Sequence, residues 1–151
     1  MTGLDDIDKR ILSNLQDNCR ISYSAIAREL DVAESTVRYR VNRLKNEGVI
    51  TRFIALLDPR KIGLNITAIV LIKVDPKNLE EASKLLASFR ESHHLFKSTG
   101  AYDLVSVVHA RDIIHLNGLI DGIKKLPGVR EVSAEVATYL IKVELQFDLR
   151  N

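Results

Sequence analysis

The spacing of apolar residues changes near residue 50, and this change constrains the fold more than any other feature of the chain. Over residues 5–47 apolar residues recur every three or four positions, which is typical of short amphipathic helices. Beyond residue 50, apolar runs and alternating apolar and polar residues predict strands, with two further helical stretches between them. We therefore predict an α+β chain with a helical domain over residues 1–50, a strand and linker over 51–65, and a second domain over 66–151.

Helix-start signals divide the first domain into three short helices. Asp5 and Asp8 are spaced close to a capping box at the start of the first helix. Ser22 is a suitable N-cap for the second helix, which is barely two turns long. Asp31 tolerates the left-handed conformation of a tight turn, and the third helix is predicted from about Glu34 to Glu47.

The third predicted helix has a buried stripe and a polar, cationic outer face. Between residues 35 and 47, four basic side chains (Arg38, Arg40, Arg43, Lys45) stand against one acid. A short helix, a turn and such a helix predict a helix-turn-helix, because the major groove admits one helix. The residues expected at the DNA are Ser35, Thr36, Arg38, Tyr39 and Arg43, with Arg40 and Lys45 toward the flanks as phosphate contacts. The alternative is a three-helix bundle whose third helix is simply solvated.

The second domain alternates strands and helices in the order β-α-β-β-α-β, which predicts a ferredoxin-like fold. The predicted strands span residues 66–74, 95–99, 103–110 and 132–147, with helices over 78–90 and 112–125 and an additional strand over 51–57 before the domain. Asn78 is predicted to cap the first of these helices. Two helices cover only one face of such a sheet, yet the strands are apolar on both faces. The uncovered face predicts a partner surface, most simply a homodimer.

Composition excludes several classes of protein. No apolar run approaches the roughly 18 residues of a membrane span, and the acidic start does not resemble a signal peptide, so a cytoplasmic protein is predicted. The net charge of +2 is small, which leaves local clusters to carry any charge argument. The single cysteine, Cys19, excludes an internal disulfide and a cysteine-based zinc site.

Catalytic chemistry finds little support in the sequence. His93 and His94 are adjacent and would point to opposite sides of a strand, while His109 and His115 read as ordinary surface or packing residues. There is no glycine-rich phosphate loop and no pair of catalytic carboxylates. We therefore predict no enzyme, no metal and no cofactor, the alternative being an enzyme that uses the ferredoxin-like domain.

The ordered set of motifs resembles the leucine-responsive regulator/AsnC (feast/famine) family of transcription regulators over nearly the whole chain. The matching segments are residues 4–12 (LDDIDKRIL), 26–30 (IAREL), 35–44 (STVRYRVNRL), 48–50 (GVI), 99–103 (TGAYD) and 126–129 (LPGV). The resemblance implies a winged helix-turn-helix domain, a hinge strand, and a regulatory domain that dimerises and assembles into octamers or larger rings on nucleoid DNA.

The resemblance also implies an amino-acid effector, bound near the Gly100 loop at contacts between dimers. The expected ligand residues are Gly100, Ala101, Tyr102 and Asp103, with Ala134 and Val136 on the last strand. A simpler interpretation makes Gly100 a hairpin glycine with positive φ, Tyr102 a packing residue and Asp103 a turn acid.

Two residues depart from the family pattern. Ala33 stands where a serine often caps the recognition helix, a loss of about 1 kcal/mol that Glu34 can offset through the helix dipole. Ala101 replaces the first acid of the effector loop, so the effector can differ, bind weakly or be absent. The second hypothesis for function is therefore an architectural protein that wraps DNA with little sequence preference and ignores amino acids.

Overall fold

The computed structural model describes residues 3–149 of the 151-residue chain. The chain divides into two compact units, residues 3–56 together with 142–149, and Leu57–Ile141. No helix within residues 3–149 is long and apolar enough to cross a membrane.

Three helices form the first unit: α1 (Asp6–Asp17), α2 (Tyr23–Leu30) and α3 (Glu34–Asn46). The predicted caps are confirmed. Asp5 and Asp8 form a reciprocal capping box, and the Ser22 hydroxyl accepts a hydrogen bond from the backbone N–H of Ala25. Asp31 ends α2 in the left-handed conformation, with φ of 53°. These local signals fix where each helix begins and ends.

A small apolar core holds the three helices together. Its buried side chains come from all three helices and are Ile11, Leu15, Ile26, Ala27, Leu30, Val37 and Val41. The C-terminal segment of the same unit lies against α1, where the Gln16 side chain bonds to both the N–H and the carbonyl of Phe147.

The second unit is a four-stranded antiparallel sheet with two helices. The strands are β1 (Ile66–Val74), β2 (Ser92–Lys97), β3 (Leu104–Ala110) and β4 (Val129–Val136), and the helices are α4 (Leu79–Ala87) and α5 (Ile113–Lys124). The sheet order β2-β3-β1-β4 with the chain order β-α-β-β-α-β is the predicted ferredoxin-like arrangement.

The helices cover one face of the sheet. Ala68, Val70 and Ile72 on β1 pack with buried residues of α4 and α5 such as Leu86 and Leu116. On the other face, the side chains of Ile69 and Phe96 are 41% and 51% exposed. An apolar sheet face that the described chain leaves open is therefore present, as the alternation predicts.

Two strand predictions are wrong. Residues 51–57 form no strand, and β4 ends at Val136, so the described segment 137–147 lies outside the sheet. Both segments have the extended apolar pattern of a strand, with Ile54 58% and Ile141 91% exposed. Side-chain alternation reports which residues avoid water, but a strand also needs a ladder of backbone hydrogen bonds to a neighbouring strand. Within residues 3–149 neither segment has such a ladder, and only Ala137, at the start of the second segment, bonds to β1, through its N–H to the Thr67 carbonyl.

The predicted cap at Asn78 is also wrong, because its side chain makes no capping hydrogen bond. A short 3-10 turn, Pro76–Asn78, leads into α4 instead, and it places Asn78 in helical rather than extended backbone. An N-cap side chain reaches the first free N–H groups from an extended backbone conformation, which Asn78 does not have.

Candidate nucleic-acid interface and ligand loop

The apolar inner face of α3 is buried, and this packing sets the direction in which the outer face points. Val37, Val41 and Leu44 are all fully buried at four- and three-residue spacing. Ala33 occupies the N-cap position and makes no side-chain capping bond, so Glu34 in the first turn is the only acid there that complements the helix dipole. Packing, rather than capping, therefore fixes the orientation of this helix.

The exposed side of α3 carries polar groups that can reach a partner. Ser35, Arg38 and Tyr39 are exposed, with 68% of the Tyr39 surface accessible, while Thr36 is half-buried. The Arg38 guanidinium lies 2.6 Å from the Glu34 carboxylate one turn earlier, and its Cζ lies 5.4 Å from the centre of the Tyr23 ring. These contacts orient Arg38 outward and leave it 60% exposed.

The other two arginines of α3 face inward and hold a buried carboxylate. Asp8 on α1 is 1% exposed, and its two oxygens accept from Arg40 Nη1 at 3.0 Å and from Arg43 Nη2 at 2.5 Å. Arg40 also contacts Asp5, and its hydrogen bond is the main reason that the pKa of Asp5 is lowered. The same contact raises the pKa of the Arg40 guanidinium.

The cationic side chains of α3 therefore fall into two groups. Arg40 and Arg43 join α3 to α1, whereas Arg38 and Lys45 are exposed. The DNA contact predicted for Arg43 stays a prediction. Its bond to Asp8, which lies 35 residues away in the chain, was not predicted from the sequence. An arginine used in this way is a poor probe of DNA binding, because its removal would also strip a buried charge of its partner.

The predicted ligand loop connects β2 to β3. Its ends are joined by the bond from Ser98 N–H to the Asp103 carbonyl, and the Gly100 N–H donates to Ser98 Oγ at 3.1 Å. Gly100 is not among the residues with positive φ, so its interpretation as a left-handed hairpin glycine is wrong. Ala101, the residue that replaces the acid of the family pattern, is exposed.

Asp103 anchors this loop to the neighbouring strand. Its N–H donates to the Ile72 carbonyl, and its Oδ2 accepts from the Val74 N–H at 2.8 Å. The carboxylate thus satisfies a backbone donor at the end of β1. The turn-acid interpretation of Asp103 agrees with this geometry, and the role in ligand binding stays a prediction.

Tyr102 joins the loop to β4 through a residue that the sequence reasoning missed. Its hydroxyl donates to Glu131 Oε1 at 3.0 Å, and this bond is the largest cause of the raised pKa of Tyr102. On the same face of β4, Glu135 also raises the pKa of Tyr102, whereas Ser133 lowers it. The alternation of polar residues 131, 133 and 135 is the signal that could have found them.

The structure does not bring Ala134 and Val136 to the loop within one chain. They pair with Val70 and Ala68 on β1. Asp103 of the loop bonds to Ile72 on the same strand, so Val70 and Ala68 are two and four residues away from that contact, which is about 7 and 13 Å along β1. They also share the helix-covered face of β4, and Ala134 packs against the core. Their part in a ligand site stays a prediction.

Family models match both units. The model described as "Winged helix-turn-helix DNA-binding" matches residues 4–51, and the one described as "Lrp/AsnC ligand binding domain" matches residues 67–145. A curated relative, an uncharacterised HTH-type transcriptional regulator of Pyrococcus horikoshii, is 39% identical over 92% of this chain and 89% of its own.

Solved structures agree with this fold. The leucine response regulatory protein of Mycobacterium tuberculosis aligns with a TM-score of 0.87 and 26% identity over 95% of this chain and 99% of its own. A transcriptional regulator of Neisseria meningitidis, solved as an L-Met complex, aligns with a TM-score of 0.89 over 98% of each chain. At 22% identity the second likeness shows the fold alone.

Proposed function

The chain belongs to the Lrp/AsnC family of DNA-binding transcription regulators, and from this premise we propose that it reads a specific DNA sequence through the outer face of α3. The observation that carries the proposal is that α3 buries its apolar stripe completely while it leaves Ser35, Arg38 and Tyr39 exposed. Arg38 can donate two hydrogen bonds to guanine or hold a phosphate, and Tyr39 can contact a sugar or a thymine methyl. Thr36 and Arg43 are proposed to contribute from the edge of this face.

Binding of the protein to a DNA duplex selected from a random pool tests this proposal. A duplex enriched from a random pool by the full chain would be labelled, and fluorescence anisotropy would follow its affinity for variants. Arg38→Ala and Tyr39→Ala should each weaken binding about tenfold or more, since a good base contact is worth about 1–3 kcal/mol. Lys84→Ala, which removes one exposed cation from α4, is the matched control and should retain the affinity within about twofold. Unchanged affinity in both α3 variants would show that another surface binds the DNA.

We further propose that the chain works as a homodimer that assembles into octamers or larger rings. The open sheet face offers Ile69, Leu71, Val105, Val107 and Phe96, and apolar patches of this kind are typical of protein interfaces. The exposed strand-like segments 51–57 and 137–147 are suited to pair with a second copy. In analytical ultracentrifugation, Val107→Asp should lower the molar mass to that of a monomer. Lys84→Asp, which changes the charge at an exposed helix position, should not. A dimer that survives Val107→Asp would refute this interface.

The effector is proposed to be a free amino acid bound near the loop of residues 98–103. The family model for a ligand-binding domain supports a small-molecule ligand, and the L-Met complex of the Neisseria protein makes amino acids the first class to test. Gly100, Ala101, Tyr102 and Asp103 would line the site, with Ala134 and Val136 contributed across a contact between dimers. Such a ligand would act by preferring one assembly over another, because it can shift an equilibrium only by its differential affinity.

Calorimetric titration of the full chain with each amino acid tests the effector. Tyr102→Phe removes the hydroxyl that contacts Glu131 and should weaken any response, whereas Ser88→Ala on the far end of α4 should leave it intact. A response that Tyr102→Phe leaves unaltered would place the ligand elsewhere.

We propose that the chain regulates by binding alone, without catalysing a reaction, and acts on nucleoid DNA in the cytoplasm.

A further inference from the structure

A second cluster of ionisable side chains lies at the other end of the sheet from the loop of residues 98–103. A cavity of about 310 Å³ opens there, within the α/β unit, and its charged and imidazole side chains are Arg90, Glu91, His93, His109, Arg111 and His115. They come from the α4–β2 turn, from β2 and β3, and from the start of α5. The sequence pattern predicts no common role for these histidines.

Among the described residues that line the cavity, Glu91 is the only acid, and it already has a partner. Glu91 Oε1 lies 3.3 Å from His115 Nε2, and His115 Nδ1 accepts the backbone N–H of Arg111 at 3.2 Å. The second contact requires an unprotonated Nδ1, so Nε2 carries the hydrogen and donates it to Glu91. Glu91 therefore faces His115.

The two guanidinium groups of the cavity have no such partner. Among the contacts of residues 3–149, neither Arg90 nor Arg111 takes part in an ion pair. Both side chains are exposed, and two cations without acidic partners at one cavity make its electrostatic potential positive. Their placement around one cavity suits an anionic ligand.

Two histidines form the wall beside these arginines. The rings of His93 and His109 meet edge to face at 4.7 Å between centroids, and His109 Nδ1 lies 3.0 Å from Thr67 Oγ1. A neutral imidazole donates through one N–H and a protonated imidazole through two, so imidazoles in this position can donate to an oxyanion. The cavity therefore offers donors of two kinds around a small volume.

We propose that this cavity binds a small oxyanion, the charged phosphate or carboxylate group of a metabolite, between the guanidinium groups of Arg90 and Arg111 and the imidazoles of His93 and His109. The planar guanidinium donates pairs of hydrogen bonds that match both kinds of oxyanion. The volume is at the lower end of known ligand pockets, which favours a small molecule. A metal ion is the poorer occupant, since no three His, Cys, Asp or Glu residues among those described are placed to hold one.

The pKa of His109 offers a way to detect a bound anion. Burial is the main cause of the lowered pKa of His109, with His93 and His94 next. The other charged groups around it are Arg90 and Glu91 of the α4–β2 turn, Arg111 after β3 and His115 of α5. A bound anion would favour the charged imidazole, so it would raise the pKa of His109 and bind more tightly as the pH falls.

The test is a titration of the full chain, free of DNA, with sulfate and separately with succinate, followed by NMR of the histidine rings at constant ionic strength. One of the two anions should give saturable shifts of the His93 and His109 signals, and the preferred one identifies a tetrahedral or a carboxylate ligand. Arg90→Gln and Arg111→Gln should each weaken this binding at least about tenfold, while Lys84→Gln should hold it within about twofold.

A second readout uses the unsubstituted protein. At saturation with the preferred anion, the pKa of His109 should rise measurably above its value in the free protein. Absence of saturation up to about 100 mM of both anions would overturn the proposal, as that corresponds to binding weaker than about 1.4 kcal/mol. Equal affinity in the Arg90→Gln/Arg111→Gln double variant, or an unmoved His109 pKa at saturation, would overturn it as well. None of these outcomes depends on DNA binding by α3.

Discussion

Replacing Asp8 with asparagine should destabilise the helical unit far more than a surface substitution on the same helix. The Asp8 carboxylate is 1% exposed and bridges Arg40 and Arg43, the residues that tie α3 to α1. Asparagine preserves the shape and one acceptor oxygen, so the capping contact with the Asp5 N–H can persist. What the substitution removes is the negative charge between two guanidinium groups.

The magnitude follows from the burial of the three partners. Removing one member of a buried ion pair costs about 3–5 kcal/mol, because the remaining charge is left without compensation. Here the side chains of Arg40 and Arg43 keep 19% and 32% exposure, so water can partly solvate them and the lower bound applies. We therefore expect a loss of about 3 kcal/mol, a large part of the stability of so small a unit.

Hydrogen exchange with mass spectrometry measures this loss in each unit separately. Peptides from α1 and α3 should exchange about a hundredfold faster in Asp8→Asn, while peptides from β1 and β3 serve as an internal reference and keep their rates. Asp6→Asn is the matched control, because it removes an exposed charge from the same first turn and should cost under about 1 kcal/mol. An acceleration below about fivefold in Asp8→Asn would show that this buried carboxylate does not hold α3 in place.

Further predictions concern pH and two glycines. Because the pKa of Asp5 is lowered in the fold, mainly by its bond to Arg40, its stabilising contribution is present above the unfolded value of about 3.9 and is lost as the pH falls. Circular dichroism should show the helical unit losing stability below about pH 4, with a flatter profile for Asp5→Asn. Gly128 has φ of 73° and a Cβ there would overlap the Asn78 side chain, so Gly128→Ala should cost about 2–4 kcal/mol in denaturant unfolding. Gly118→Ala, on α5 with open space around it, should instead stabilise by about 0.5–1 kcal/mol.

Local signals in the sequence predicted the helical unit well. The capping box at Asp5, the Ser22 cap and the left-handed Asp31 are all decided within four residues, so a single sequence suffices to find them. Strand β1 was predicted with its observed bounds, because its alternation reports burial against the covered face.

Features that depend on distant residues could not be predicted. The bond between Arg43 and Asp8 joins positions 35 residues apart, and the cavity beside His109 gathers side chains from several elements. The extended segments 51–57 and 137–147 show a different limit. Their alternation indicates an apolar side but does not say which chain supplies the neighbouring strand.

Sequence reading by α3 is tested by the ratio of the affinities for a selected duplex and for a scrambled duplex of equal length. Measured by anisotropy across a range of salt concentrations, the ratio should exceed about a hundredfold and should fall in Arg38→Ala and Tyr39→Ala. Equal affinity for both duplexes, decreasing steeply with salt, would contradict sequence reading by α3 and favour an architectural protein. Absence of binding to either duplex at low salt would contradict the assignment of this face to DNA altogether.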